Sequence, residues 1–160
     1  TLNNQELTAL KSEVDMTVTG PGKLTLLSTK DAGLFLSKTA TLTLKDADIE
    51  ASGQWGISGP YGNSYNAKLA VINSRVVSES TSADGAVCDF RGGITLTGCK
   101  ITVPKDGRVD GAKIVTPNGT AAKEVQIALA EGDEGYDRAD VNLDGSVDSA
   151  DIVAVIKAMK

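Results

Sequence analysis

Oxygen-bearing side chains stand at nearly alternating positions near the C-terminus, in the segment 140–151, Asp-Val-Asn-Leu-Asp-Gly-Ser-Val-Asp-Ser-Ala-Asp. In a twelve-residue loop such side chains converge on one point, and a glycine at position 6, here Gly145, allows the sharp turn. Crowded carboxylates repel one another unless a hard cation neutralises them, so the pattern predicts a calcium site. The predicted ligands are Asp140, Asn142, Asp144, the backbone carbonyl of Ser146, Asp148 and Asp151.

The last predicted ligand, Asp151, has a shorter side chain than the glutamate usual at position 12, which predicts weaker affinity than that of a sensor loop. A helix is expected to begin near Ser149. Its apolar residues are Ile152, Val153, Val155, Ile156 and Met159. The alternative is an Asp- and Asn-rich surface turn that binds nothing.

The charge of the chain is concentrated in the same region. Residues 1–130 carry 13 acidic and 13 basic side chains, whereas residues 131–160 carry eight acidic and three basic ones, so the whole net charge of −5 lies in the last segment. Such a segment attracts cations and repels nucleic acid. No run approaches the roughly 18 apolar residues of a membrane span, so we expect no membrane insertion.

The chain has no histidine. This composition excludes Ser-His-Asp and Cys-His nucleophiles as well as histidine-ligated metals. Catalysis without histidine would use paired carboxylates, or calcium with an arginine, but the acidic residues of the first 130 positions are scattered. The sequence therefore predicts a non-catalytic protein, with a polysaccharide lyase or hydrolase as the alternative.

Three segments align without gaps and identify an internal repeat: 42–49, 69–76 and 94–101, whose starts are 27 and 25 residues apart. Aliphatic residues occupy the first, third and eighth positions of each. The fifth and sixth positions are Asp46-Ala47, Asn73-Ser74 and Gly98-Cys99. Asp, Asn and Gly tolerate a left-handed backbone, and a small residue suits an inside corner, so each copy predicts a strand, a bend and a second strand.

A period of about 25 residues with short strands and no helix is typical of a parallel β-solenoid. We therefore predict a mostly β fold, a short right-handed parallel β-helix over 1–130, with a small EF-hand-like calcium loop and helix over 131–160. The hand is assumed because parallel crossovers are nearly always right-handed. A β-sandwich of antiparallel strands is the alternative.

The ends of a solenoid need covers. At the N-terminus, Asn3 or Asn4 could cap a short helix with Leu7, Leu10 and Val14 on one face; alternatively Val14, Met16 and Val18 alternate as the first strand. At the other end, the segment from Glu124 to Leu129 is predicted to be a closing strand.

Three aromatic residues, Trp55, Tyr61 and Tyr65, lie in a glycine-rich stretch. They could stack against sugar rings, but packing of the connection onto the solenoid is the favoured interpretation. Cys88 and Cys99 could form a disulfide; free core thiols are favoured because Cys99 occupies the small-residue position of the repeat.

The segment from Asp140 to Val153, with Tyr136-Asp-Arg-Ala before it, resembles one calcium-binding repeat of a type I dockerin. The resemblance implies a secreted or cell-surface protein of polysaccharide metabolism that attaches to a cohesin module, with contacts at Ser149 and Ala150. Dockerins carry two loops and this sequence shows one. Either the sequence is a piece of a longer protein, or a single repeat serves as a structural clip whose helix packs on the solenoid.

Residues 20–125 resemble, more loosely, the right-handed β-helix domains of secreted bacterial surface proteins, some of which are classed as carbohydrate-binding. The resemblance is carried by Gly22-Lys-Leu-Thr-Leu, Trp55-Gly-Ile-Ser-Gly and the segment 94–101. It implies a carbohydrate-binding or adhesion role, with a polysaccharide or glycan as partner. A structural fragment of a larger adhesin is the remaining alternative.

Overall fold

A computed structural model describes residues 1–4 and 7–130 of the chain. They form a parallel β-solenoid of about four coils. Each coil contributes one strand to each of three sheets, and the strands of successive coils pair in parallel. The predicted solenoid is therefore confirmed and the antiparallel sandwich is wrong. The predicted calcium loop and helix lie outside the described residues, and the division at residue 130 stays a prediction.

Each coil contains three strands. The first two coils consist of β1 (Leu2–Asn4), β2 (Leu10–Ser12), β3 (Met16–Thr19), β4 (Lys23–Ser28), β5 (Ala32–Leu36) and β6 (Thr41–Lys45). The next two consist of β7 (Asp48–Gly53), β8 (Trp55–Ser58), β9 (Lys68–Ile72), β10 (Arg75–Ser80), β11 (Val87–Cys88) and β12 (Gly93–Thr97). Four further strands follow: β13 (Cys99–Val103), β14 (Arg108–Asp110), β15 (Lys113–Val115) and β16 (Glu124–Leu129).

Strands of successive coils pair in register, so equivalent aliphatic side chains lie above one another. Sheet A has the order β1-β4-β7-β10-β16-β13, sheet B the order β2-β5-β8-β11, and sheet C the order β3-β6-β9-β12. These columns form the continuous core, because each coil alone has too little apolar surface to bury. Three of them are Leu24-Ile49-Val76, Leu34-Ile57-Val87 and Leu42-Leu69-Ile94.

The bends between sheets C and A have the predicted left-handed backbone. Asp46, Asn73 and Gly98 have φ values of 49°, 45° and 62°. The bends are joined between coils, since the amide of Asp46 donates to the carbonyl of Ile72 at 3.0 Å. The property that the three residues share is tolerance of positive φ, so the backbone conformation accounts for the residue types at this position.

The small residues after the bends stack as predicted, and they also bond to one another. The amide of Ala47 donates to Oγ of Ser74 at 3.1 Å, and the amide of Ser74 donates to Sγ of Cys99 at 3.2 Å. Ser74 is 1% exposed. Its hydroxyl therefore supplies a hydrogen bond to a buried amide that alanine could not supply.

Two glycines of sheet B lie close to the backbone or side chains of sheet A. A Cβ added at Gly33 would lie 2.9 Å from the carbonyl oxygen of Leu26, and one added at Gly56 would overlap Oγ of Ser78. Glycine is needed at both positions because the neighbouring backbone leaves no room for a side chain.

The C-terminal end differs from the prediction in one respect. The strand Glu124–Leu129 forms, but it does not close the solenoid as an outermost strand: it lies between β10 and β13 and is antiparallel to both. In the third repeat copy, the strand before the bend (β12) therefore pairs with its equivalent in the preceding coil. The strand after the bend (β13) does not, because β16 lies between β13 and β10. The end of sheet B is covered by the antiparallel pair β14-β15 and by Ala122, which is 1% exposed.

At the N-terminal end the predicted helix is wrong. The alternative strand is confirmed in part: Met16 and Val18 lie on β3, which is the third strand, whereas Val14 lies outside it and is exposed. Met16–Thr19 pairs in parallel with Thr41–Lys45, and Leu10–Ser12 pairs with Ala32–Leu36. Asn4 does accept a hydrogen bond from the amide of Leu7 at 3.1 Å, as a cap would, but the next regular element is the strand that begins at Leu10. Pairing with the next coil overrides the local helical pattern. Within the described part, no helix has the length and apolarity that crossing a membrane requires.

The left-handed bend at Asn73 gives a stability prediction. Asn73 is exposed, so a substitution there tests backbone conformation with little change in packing. Asn73→Val should lower the free energy of unfolding by about 1–2 kcal/mol, because a β-branched residue is strained at positive φ. Asn73→Gly should change the free energy of unfolding by only a few tenths of a kcal/mol, because glycine adopts positive φ without strain. Urea unfolding followed by circular dichroism measures both.

A matched control for this prediction is Thr17→Val, which places valine at an exposed position of the extended strand β3. It should leave the urea midpoint almost unchanged. Equal destabilisation by Asn73→Val and Thr17→Val would contradict the assignment of strain to the bend.

Candidate functional site

The predicted calcium ligands lie outside the described residues, and so do the predicted cohesin contacts Ser149 and Ala150. Among residues 1–4 and 7–130, no group of three or more acidic or cysteine side chains could hold a metal ion. The candidate metal site is therefore the set Asp140, Asn142, Asp144, Ser146, Asp148 and Asp151. This set consists of oxygen donors, which fits a hard cation such as calcium.

Trp55 is fixed by a neighbouring coil. It begins strand β8, its side chain is half-buried, and its Nε1 donates to Oδ2 of Asp84 at 3.2 Å. The same carboxylate oxygen accepts from the hydroxyl of Ser82 at 2.9 Å. The indole thus holds the connection between β10 and β11 against coil 3, whereas the favoured interpretation of the sequence was that Trp55 packs its own glycine-rich connection onto the solenoid.

Tyr61 and Tyr65 lie beyond the other end of β8, in the connection to β9. Their exposures are 70% and 40%. The Tyr65 phenol makes a small electrostatic contribution to raising the pKa of Lys38, whose main cause is the hydrogen bond to Glu13, with 2.9 Å between the charged atoms. Tyr61 and Tyr65 follow the end of β8, whereas Trp55 stands at its start and contacts coil 4, so the three rings do not lie at the same end of this strand.

A groove near the N-terminal end brings together a further aromatic ring and polar groups. It has a volume of about 290 Å³ and contains the half-buried ring of Phe35. Oδ2 of Asp31 accepts from the hydroxyl of Thr8 at 2.6 Å on its wall. The other lining residues are Asn4, Leu7 and Lys11. Sequence reasoning missed this groove, although the alternation of Leu34, Phe35 and Leu36 indicates that Phe35 points away from the core.

Both cysteines are free, as the sequence favoured. Cys99 stands in the small-residue column at the bend, and Cys88 is 2% exposed on β11 in sheet B. Burial raises the pKa of the Cys88 thiol to about 12. The neighbouring Asp89 has a φ of 63°, and burial raises the pKa of its carboxyl group, while Arg91 at 3.6 Å acts in the opposite direction. A protonated, buried thiol is a poor nucleophile, so Cys88 is a packing residue.

Comparison with family models, with curated proteins and with solved structures finds no match to this chain. The case for any function is therefore carried by the residues themselves.

The raised pKa of Cys88 predicts how stability changes in alkaline solution. The folded state keeps the thiol protonated up to about pH 12, whereas the unfolded state releases the proton above about pH 9. The stability that the buried thiol contributes is thus complete below pH 9 and is lost as pH rises towards 12. Cys88→Ala should make the decline between pH 9 and 11 shallower, by up to about 1.4 kcal/mol per pH unit.

Urea unfolding at several pH values measures this slope, and Cys99→Ala serves as the control for removal of a thiol. The prediction is contradicted if Cys88→Ala and the unchanged protein lose stability in parallel above pH 9.

Proposed function

We propose that this chain is a non-catalytic, calcium-binding adhesion or carbohydrate-binding protein, secreted or held at a bacterial cell surface. In this proposal the solenoid is a right-handed β-helix and residues 131–160 form a dockerin-like repeat with an EF-hand-like calcium loop and a helix. The single observation that carries the proposal is the spacing of oxygen donors from Asp140 to Asp151. No other pattern of residues that we identify in the sequence points as specifically to one ligand.

Calcium would act by charge neutralisation and ordering. Eight acidic side chains against three basic ones in 131–160 repel one another, and a divalent cation lowers that repulsion. An ion that binds the folded loop and not the unfolded chain adds stability according to its concentration and affinity. Because Asp151 replaces glutamate at position 12, binding is expected to suit the calcium concentrations found outside cells.

The solenoid supports a binding role because it is a rigid scaffold with exposed aromatic rings beside it. Tyr61 and Tyr65 are the rings available for stacking on a sugar, since Trp55 is bonded to Asp84. Aromatic rings stack on the apolar faces of sugars, and polar neighbours bond to hydroxyl groups. A cohesin-like protein that contacts Ser149 and Ala150 is the partner that the resemblance of the tail implies.

The non-catalytic assignment is supported by the surroundings of the described acids. Asp84 is engaged by Trp55 and Ser82, and Asp89 by Arg91. Glycoside hydrolysis requires two carboxyl groups on either side of a substrate-sized space, one as acid and one as base or nucleophile. Asp84 and Asp89 are each engaged by a side chain of the solenoid itself, and this engagement supports the non-catalytic proposal.

Calcium binding is tested by isothermal titration calorimetry on the unchanged chain and on Asp144→Ala. We expect saturable binding that Asp144→Ala weakens by at least about tenfold, since a carboxylate ligand is lost. Asp110→Ala removes the same charge from β14 and should bind as the unchanged chain does. Equal heats for all three proteins would refute the ligand assignment.

Carbohydrate binding is tested on an array of plant and host glycans. Tyr61→Ala together with Tyr65→Ala should abolish any signal, because each stacked ring contributes on the order of 1 kcal/mol to binding. Trp55→Phe, which removes the indole N–H bonded to Asp84 and makes the ring smaller but keeps an aromatic side chain, should retain the signal. Silence of the unchanged protein across the array would count against the carbohydrate role, and the calcium result would be unaffected.

A further inference from the structure

The C-terminal end of the solenoid is covered unevenly. Over sheet B, the amide of Ala86 donates to the carbonyl of Ala122 at 2.7 Å, and the amide of Phe90 donates to that of Ala112 at 3.0 Å. Over sheet A, β16 and β13 continue the pairing. Over sheet C nothing follows: in the described part of the chain, β12 pairs with β9 and with no second strand.

The apolar column that includes β12 is less buried in coil 4 than in coils 2 and 3. Leu44, Val71 and Leu96 are register partners in coils 2, 3 and 4. The first two are 0% exposed, whereas Leu96 is only partly buried. Ile101 and Val109 are also partly buried and pack against the core cluster. We name this region, the free edge of β12 with Leu96, Ile101 and Val109, the end surface.

The chain leaves the described structure beside the end surface. The amide of Ala130 donates to the carbonyl of Gly98 at 3.1 Å, and Gly98 directly follows the last residue of β12. Residues 131–160 therefore begin at the corner between sheets A and C. Proteins commonly cover such a free strand edge with a helix or a loop, because an unpaired edge can pair with a strand of another chain.

The size of the following segment fits the end surface. The apolar residues Ile152, Val153, Val155, Ile156 and Met159 lie on the predicted helix. A helix over the 12 residues 149–160 is roughly 18 Å long. The edge of a five-residue strand such as β12 is also roughly 17 Å long.

The charges on the two sides are complementary. Residues 91–130, which build the C-terminal end of the solenoid, carry six basic and three acidic side chains. Residues 131–160 carry three basic and eight acidic ones. Opposite net charges favour the approach of the tail to this end, whereas two copies of the end itself would repel each other.

We infer that the segment 149–160 packs its apolar residues on the end surface, and that calcium in the loop 140–151 fixes it there. The tail is then a calcium-dependent cap of the solenoid. This inference rests on the proposed calcium site, and it assigns the apolar residues of the tail to the chain's own solenoid rather than to a cohesin-like partner.

The test is hydrogen–deuterium exchange, read by mass spectrometry, on the full 160-residue chain with calcium and with EDTA. Peptides covering 93–103 should exchange roughly tenfold more slowly with calcium, because the cap shields the amides of β12 and its neighbourhood. Peptides covering β3, the equivalent edge at the opposite end, should not change. Calcium binding to each protein is measured separately by calorimetry.

Two variants separate calcium binding from the packing of the tail on the end surface. Asp144→Ala should lose both calcium binding and the protection of 93–103. Ile152→Asp combined with Ile156→Asp should keep calcium binding and lose the protection, because charged side chains cannot pack on Leu96 and Ile101. Unchanged exchange in β6, inside the solenoid, verifies that both variants remain folded.

The outcomes distinguish the two proposals. Absence of calcium binding refutes the proposed function together with the calcium-dependent cap. Calcium binding without a change in 93–103 overturns the cap alone. Protection that increases with protein concentration and accompanies a dimer in light scattering also overturns it, in favour of a second copy on the end surface.

Discussion

Hydrogen bonding between neighbouring coils is the interaction on which the whole molecule depends. No coil folds back to pair with itself: Arg75–Ser80 takes its parallel partner from Asp48–Gly53, and Lys68–Ile72 lies between Thr41–Lys45 and Gly93–Thr97. In-register pairing places equivalent aliphatic side chains of successive coils above one another, and four short coils thereby form one core. It also explains why the bends must share one backbone conformation, since a bend of different shape would shift every strand after it.

The periodic part of this architecture could be predicted from the sequence because the physical requirement recurs at each coil. Asp46, Asn73 and Gly98 differ chemically but share a tolerance of positive φ, and the structure places all three in that conformation. The insertion of β16 could not be predicted in the same way. An antiparallel strand that pairs with two strands distant in sequence leaves no periodic signal, and the third copy matches the other two although its second strand has a different neighbour.

Sequence reasoning could identify candidate site residues only where those residues lie close together in the sequence. The predicted calcium-ligand pattern is contained in twelve consecutive residues, so it could be proposed without knowledge of the fold, and it stays a prediction. The aromatic cluster depended on which way each ring points, and proximity in sequence did not decide it: Trp55 bonds to Asp84 from the next coil, and Tyr61 and Tyr65 remain exposed beyond the other end of the strand. The Phe35 groove joins coils 1 and 2 and has no counterpart in a linear motif.

The antiparallel course of β16 has a consequence for how this molecule can lengthen over evolution. Duplicating an internal coil preserves parallel neighbours on both sides, so growth between coils 1 and 4 needs no redesign. Beyond β10, sheet A presents a reversed strand, and a duplicated coil appended there would meet the wrong hydrogen-bond pattern. The length of this solenoid is thus adjustable from within, while its C-terminal boundary is set by the direction of a single strand.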